Sequence, residues 1–516
     1  MTDVRIVTEP LGGSSLSRLL QRGPGPWLEP APGDAAGWRA RGAERGDAAD
    51  WPRRLDALAP AFAATGAAAD RLARVRDAGG IMVTTGQQPG LYGGPVYTWS
   101  KAVSALALAE VLEAATGIPT VAVFWAATDY ADFAESASTV VPRAGGVEVL
   151  RAGTVPPAGT PLSLAPLGPL DDAARALRAA CGSAADPRPL TAALTTYGAP
   201  ETSAGDAFVA LLRDLLAPLG MPVLDASHAA VRAAGHDVLR AALTRAPEVE
   251  RALAARAAEI RAAGETPQVE EVAGLSLVFL REGTVKRRLT VGEAGTIGDE
   301  ALLTPNVLLR PVVEAAILPT VAYVAGPGEL AYFAQVGPVA DALGVARPLA
   351  IPRWSCTLVE PAVDALLRQY GATVGDLAAP DQLETTVARR AMSESSTRAF
   401  AAMRAGVDAL VEALEPEAGA LGLERATLGA AGALQHRVDR LERRLVAGVK
   451  RREGEQMRDV ATLRGALYPL GGRQERTLNL LPLLARHGVA LLDEMRAAAI
   501  PHAEAVVGVR GDRRGV

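Results

Sequence analysis

Residues 79–126 constrain this chain more than any other stretch. After Gly79 and Gly80 comes a short β-rich apolar run at 81–85, then the loop Gly86-Gln87-Gln88-Pro89-Gly90-Leu91-Tyr92-Gly93-Gly94-Pro95. A long helical pattern follows from about Val96 to Ala115. Gly117 and Pro119 close it, and 120–126 is a second apolar run of strand length. Strand, glycine loop, helix and strand in that order make a βαβ unit, the building block of a parallel α/β sheet. The same grammar returns later. A short strand at 221–225 leads into a helical stretch from Ser227, and 307–309, 320–325 and 349–351 read as strands separated by helices near 311–317 and 329–343. Upstream, 54–78 carries one helical pattern. Residues 142–200 are rich in Pro and Gly and 265–290 are β-rich, so both read as inserts hung on one sheet.

From about residue 360 the strand signals vanish and long Ala/Arg/Glu/Leu stretches take over, broken near Glu415-Pro416-Glu417. Leu434, Val438, Leu441, Leu445 and Val449 repeat at steps of four, three, four and four. That stripe with charged flanks reads as an antiparallel coiled-coil hairpin, the alternative being an amphipathic helix on a core. Two helices of this length cannot bury both faces alone, which points to a partner subunit.

Composition narrows the class. The 516 residues are 49% hydrophobic and 22% charged, ordinary for a soluble globular protein with material for about three domains. A net charge of −5 argues against a nucleic-acid footprint. Cys181 and Cys356 lie far apart without a CxxC, and the histidines at 228, 236, 436, 487 and 502 lack metal-ligand spacing, so neither a disulfide scaffold nor a metal site is expected. No signal-peptide core and no apolar window of about 20 residues is present, so the expected setting is cytoplasmic, with no membrane.

Three places offer chemistry. The loop 86–95 joins a strand to a helix, where backbone N–H groups can face an anion; its glycines, including Gly86, Gly93 and Gly94, allow close approach. It is neither a Walker loop nor GxGxxG, and a tight structural turn explains it equally well. Lys101, a turn into the helix, can reach back toward a carboxylate or phosphate. Second, Asp129, Asp132 and Glu135 crowd the segment just past the 120–126 strand, where open α/β sheets bind ligands. They supply a general base or, alternatively, a helix cap. Third, Gly326-Pro327-Gly328-Glu329 is another strand–glycine–helix junction, while Arg310 and Arg353 each follow an apolar run and suit an acidic substrate. Cys356 and Cys181 read as small core residues.

Several ordered segments resemble the bacillithiol-synthesis cysteine ligase family, BshC. They are Thr85-Gly86-Gln87-Gln88-Pro89-Gly90-Leu91-Tyr92-Gly93-Gly94-Pro95-Val96-Tyr97, then Lys101-Ala102, then 121–125 with Phe124-Trp125. Further on come Asn306-Val307-Leu308-Leu309-Arg310-Pro311, the run 318–332 through Gly326, Gly328, Glu329 and Tyr332, then Pro352-Arg353, and finally 467–476 through Gln474-Glu475-Arg476.

The resemblance implies a Rossmann-like parallel-sheet core with connecting-peptide inserts over 1–360, a coiled-coil arm over 361–465 and a C-terminal segment, 466–516, returning to the core. It implies a homodimer formed through the arm. The implied reaction joins the carboxyl group of L-cysteine to the amine of glucosaminyl-malate, with ATP or another nucleotide activating the carboxyl. On that reading Asp129 or Asp132 deprotonates the amine. Gly86, Gln87, Gln88, Gly93, Gly94, Tyr97, Trp125, Gly326, Gly328 and Glu329 join the substrate or nucleotide site, and Lys101, Arg310 or Arg353 holds the malate carboxylates. The sequence departs from the family at one place: where the family has Glu-Asp-His-Asp, this chain has Asp129-Tyr130-Ala131-Asp132. A divergent or inactive member acting on another amine or thiol, or serving as a binding subunit, is the competing reading. A nicotinamide dehydrogenase is disfavoured by the missing GxGxxG.

Overall fold

The computed structural model describes residues 2–23, 25–46, 50–270, 272–378, 380–452 and 454–509. Part of the C-terminal segment expected to return to the core, 510–516, lies outside the described residues. The chain divides into two compact units: Met1–Val141, Glu148–Leu358 and Glu475–Val516 form the first, Pro142–Val147 and Val359–Gln474 the second. The return to the first unit therefore begins at Glu475 rather than at 466.

Five parallel strands form the sheet of the first unit: β1 (Ile81–Gln87), β2 (Thr120–Ala126), β3 (Val223–Asp225), β4 (Thr320–Ala325) and β5 (Ala350–Pro352). Their order is β5-β4-β1-β2-β3. β2 and β4 are buried along their whole length, as is β1 up to Gln87, which is why they read as continuous apolar runs rather than alternating ones. β1 and β2 are in register from Ile81 opposite Thr120 to Gln87 opposite Ala126. The chain leaves β1 toward β2 and β3, then comes back with β4 on the other flank of β1. Crossovers therefore diverge between β1 and β4, and that boundary opens a crevice at the carboxyl ends of the strands.

Helix α1 (Val96–Thr116) is apolar nearly all round. Such a helix must be covered on both sides, and here the sheet covers one side and α4 (Ala490–Val507) packs on the helix as well. Side chains alternate across the sheet: Ile81, Val83, Ala122 and Phe124 join the core on the α1 face. Met82, Val121, Val123 and Trp125 join the core that holds α2 (Arg310–Ile317) and α3 (Pro327–Leu343).

Four expectations are corrected. The stretch 307–309 is a turn, and the strand is Leu303–Pro305, which joins Leu275–Glu282 and Val285–Thr290 in an antiparallel sheet. Asn306 is the reason: its Oδ1 accepts the N–H groups of Leu308 (3.1 Å) and Leu309 (3.0 Å), turning the chain into a helix. Arg310 thus opens α2 instead of ending a strand. The single pattern at 54–78 is two helices, Trp51–Phe62 and Gly66–Ala78, parted where Ala63 adopts φ 42°. In the second unit the break expected near Pro416 does not occur. Glu394–Leu421 runs through it, and the reversal into Glu424–Arg452 comes at Gly422, whose φ of 68° is the left-handed conformation glycine accepts freely.

The two long helices are fastened by Arg404, which bonds Asp439 at 2.9 Å and also pairs with Glu442. Only part of the expected stripe is covered: Val438 is buried, as is the neighbouring Val446, while Leu434, Leu441 and Leu445 remain 43–49% exposed. On the facing helix Met403, Leu410, Leu414 and Leu421 are exposed at steps of seven, four and seven.

Candidate active site

The glycine loop divides into two parts with different duties. Its first residues finish β1. Gly86 lies opposite Trp125, and a Cβ there would stand 2.8 Å from the Trp125 carbonyl oxygen, so only glycine permits this strand spacing. The later residues form a turn held from outside the loop. Tyr92, Gly93 and Gly94 take φ values of 52°, 83° and 73°. Asn479 Nδ2 donates to the carbonyls of Leu91 (3.2 Å) and Tyr92 (2.9 Å), and the Tyr197 hydroxyl donates to Gly90 O (2.7 Å) while accepting from Gly93 N (3.2 Å). The later residues thus form the structural turn, while the first residues of the loop end β1.

A cavity of about 140 Å³ opens at the β1/β4 boundary. Gly86, Gln87 and Gln88 at the end of β1 line it, together with Trp125 and Tyr130 from the β2 side. Lys101 on α1, Arg310 on α2, Tyr323 on β4, and Glu329 and Tyr332 on α3 complete the wall. Tyr97 stands behind it, its hydroxyl accepting from Gln87 Nε2 at 3.1 Å.

The charges are arranged in pairs. Lys101 Nζ lies 2.6 Å from Glu329 Oε2 and donates to Gly86 O and Gln87 Oε1, each at 2.8 Å. Glu329 also accepts from the Gly326 N–H and the Tyr323 hydroxyl, both at 2.6 Å. Burial by itself raises this carboxyl, but Lys101 and these hydrogen bonds outweigh it and hold Glu329 below the ordinary glutamate value. Arg310 bonds Glu314 at 2.5 Å and Tyr332 Oη at 3.2 Å, with its guanidinium 4.8 Å from the Tyr323 ring centre. Burial pushes the Glu314 carboxyl up, opposed by Arg310 and by the Thr84 hydroxyl.

The acidic segment sorts differently from its sequence order. Asp129 is buried, and its Oδ1 has no hydrogen-bond partner among the described residues. Burial raises its carboxyl, with Lys286 opposing. Lys286 Nζ donates to the Asp129 carbonyl at 2.6 Å and sits over the rings of Phe279 (4.7 Å) and Tyr130 (5.5 Å). Asp132 is exposed and precedes the short helix Phe133–Ser136 without a side-chain cap bond. Neither aspartate lines the cavity; Glu135 does.

Arg353 also stands away from the cavity wall. It donates two parallel hydrogen bonds to Glu475, at 2.7 and 2.8 Å. Gly326 has its N–H on Glu329, while Gly328 faces open space. Glu135 stood in the acidic cluster read from the sequence, while Tyr130, Tyr323, Tyr332 and Glu314 were assigned no role there. Glu314 had a signal, four residues after Arg310 on a helix. Tyr323 and Tyr332 had none, because an aromatic in a buried strand or helix reads as core, and Tyr130 stood out only as a departure from the family.

Among the described residues no group of three His, Cys, Asp or Glu side chains is placed to hold a metal ion, and no helix is long and apolar enough to cross a membrane. Both cysteines are buried and free, and burial pushes their thiols up to about 11 for Cys181 and about 12 for Cys356.

A parallel sheet in this order, with its cavity at the switch between β1 and β4, defines a Rossmann-like protein. The family model for the N-terminal Rossmann-like domain of bacillithiol biosynthesis BshC matches residues 49–300 and 297–354, and that for the C-terminal coiled-coil domain matches 356–506. Relatives named "Putative cysteine ligase BshC" include one from Solibacter usitatus, 32% identical with 85% of this chain and 86% of the relative covered. Those from Koribacter versatilis (31%; 82% of each chain) and Heliobacterium modesticaldum (30%; 87% of each) are similar over comparable spans. The chain belongs to the BshC family.

Proposed function

We propose that this chain is a cysteine ligase of bacillithiol synthesis, joining the carboxyl group of L-cysteine to the amino group of glucosaminyl-malate, and that it works in the cytoplasm as a homodimer. The observation that carries this reading is similarity over more than four-fifths of the chain to relatives bearing the ligase name. The matched Rossmann-like region holds every residue that lines the cavity.

Amide formation from a free carboxylate has a poor leaving group, so the reaction calls for activation by a nucleoside triphosphate. The cavity offers no site for the triphosphate itself. At about 140 Å³ it is smaller than the roughly 300 Å³ at which ligand pockets begin, and both of its cations are held by carboxylates. No step through the nucleotide is therefore assigned to these residues. What they supply is position: the β1 end, Lys101 and Glu329 form one bonded unit that fixes the floor of the cavity.

The homodimer reading rests on the exposed heptad-spaced stripes of the two long helices, which a second copy of the same hairpin would cover. A divergent member acting on another amine is favoured by one observation: Tyr130, which replaces a family acid, forms part of the cavity wall.

Mass spectrometry of the purified protein incubated with glucosaminyl-malate, cysteine and ATP tests the reading. Product that requires both the protein and cysteine is expected, and omission of ATP reads the activation step. Folded protein that yields no product would turn attention to the altered segment 129–132.

A further inference from the structure

Four charged side chains line the cavity at the β1/β4 boundary, and three of them are held in ion pairs. An ammonium group has three donor hydrogens, and Lys101 spends all of them on Gly86 O, Gln87 Oε1 and Glu329. Arg310 gives one arm to Glu314 and the other to Tyr332, with one face toward Tyr323. Glu329 is filled by Lys101, the Tyr323 hydroxyl and the Gly326 N–H. Each cation thus has its own buried carboxylate, and an incoming carboxylate or phosphate would have to break one of those pairs.

Glu135 is different. It stands on the cavity wall with no ion-pair partner among the described residues, and its side-chain hydrogen bond is with the neutral Tyr97 hydroxyl. Gln88 lies on the same wall, and its Oε1 is buried without a hydrogen-bond partner among the described residues. Tyr130 and Tyr332 add aromatic side chains to the wall, although Lys286 already sits over the Tyr130 ring and Tyr332 stacks on Phe333. A carboxylate, an unused amide oxygen and aromatic walls around a small volume complement a compact cation with several N–H donors.

We propose that this cavity is an amine subsite, in which the Glu135 carboxylate and Gln88 Oε1 take a primary ammonium group of the substrate. The proposal deepens the ligase reading and takes its candidate ligands from it, since cysteine and the glucosamine moiety both carry such a group. Partial burial and then the neighbouring Asp132 raise the Glu135 carboxyl, opposed by Lys101 and by the Tyr97 hydrogen bond, as befits a carboxylate without an ion-pair partner of its own.

Calorimetric titration of the full chain under reducing conditions tests the proposal, with L-cysteine, D-glucosamine, their N-acetyl derivatives and L-malate as separate ligands. One of the two amines is expected to bind, and which one does identifies the substrate end that the subsite receives. Its N-acetyl derivative, which lacks the charge, and L-malate are expected not to displace it. Glu135→Gln is expected to weaken amine binding by at least about tenfold, while Asp70→Asn, at an exposed carboxylate elsewhere, binds like the parent. Equal melting temperatures of parent and Glu135→Gln exclude misfolding as the cause. Binding of neither amine, equal binding of the N-acetyl form, or parental affinity in Glu135→Gln would overturn the proposal. Product formation is scored separately. Glu135-dependent amine binding without product sinks the ligase reading alone, and product with parental affinity in Glu135→Gln sinks the subsite alone.

Discussion

Arg353 and Glu475, 122 residues apart, meet in a two-point ion pair at 2.7 and 2.8 Å with both side chains at least 97% buried. Arg353 follows β5 directly, and its own N–H bonds the last residue of β4, so the pair ties the returning C-terminal segment to the edge of the sheet. Breaking a buried pair from one side leaves an uncompensated charge. Glu475→Gln is therefore expected to cost about 3–5 kcal/mol of unfolding free energy. Urea denaturation checks it, and an unchanged midpoint would remove this pair from the account of stability. The double variant Arg353→Met, Glu475→Leu is expected to regain much of the loss.

The Lys101–Glu329 pair makes a pH-dependent prediction. Glu329 lies below its ordinary value of 4.5 in the folded protein, so its contribution is present above that value and lost as the pH falls through the lower folded value. Lys101→Met removes the cation that keeps the buried carboxyl ionised. The variant is expected to be less stable than the parent at pH 7 by about 3 kcal/mol or more. The gap should narrow below pH 4.5, as the parent loses what the variant no longer has. Urea midpoints of both proteins at pH 7 and pH 4 measure this, and a gap that widens in acid would contradict it.

Asp129 carries the opposite sign. Burial holds its carboxyl above the ordinary aspartate value, so the ionised form weakens the folded state and the penalty is relieved as the pH falls through the raised value. Asp129→Asn is expected to raise Tm at pH 7, on the order of a degree or two, with a smaller difference near pH 4. Differential scanning calorimetry at the two pH values reads it. A marked fall in Tm at pH 7 would mean that the carboxylate is a needed acceptor.

The exposed stripes on the arm predict the oligomeric state. With Leu410 and Leu441 both exposed at heptad-spaced positions, Leu410→Asp or Leu441→Asp is expected to convert a dimer to a monomer in sedimentation equilibrium. Helix content should hold, because neither side chain is buried within its own hairpin. A parent protein that is already monomeric would refute the dimer.

Local sequence determined a good deal here. The apolar runs of β1, β2 and β4 marked a parallel sheet because strands covered on both faces need no polar alternation. The glycines at 86–94 marked the end of β1, and the helices at 96–116 and 327–343 were legible from length and breakers. Where a single residue redirects the backbone the sequence reading differs: the Asn306 side chain turns an apolar run into a helix start, and the left-handed backbone of Gly422, not Pro416, reverses the arm.

The site was legible in its residues but not in their engagements. Lys101, Arg310 and Arg353 looked like three cations waiting for an acidic substrate. Folding gives each a carboxylate, namely Glu329, Glu314 and Glu475, because a buried charge requires an opposite one within hydrogen-bond reach. Likewise Asp129, Asp132 and Glu135 share one short segment, yet only Glu135 faces the cavity. The sequence by itself determined which kinds of element and which charges this protein has. Apart from the local Arg310–Glu314 pair, only the tertiary structure decided which charges cancel, since Lys101–Glu329 and Arg353–Glu475 depend on a few ångströms between residues far apart along the chain.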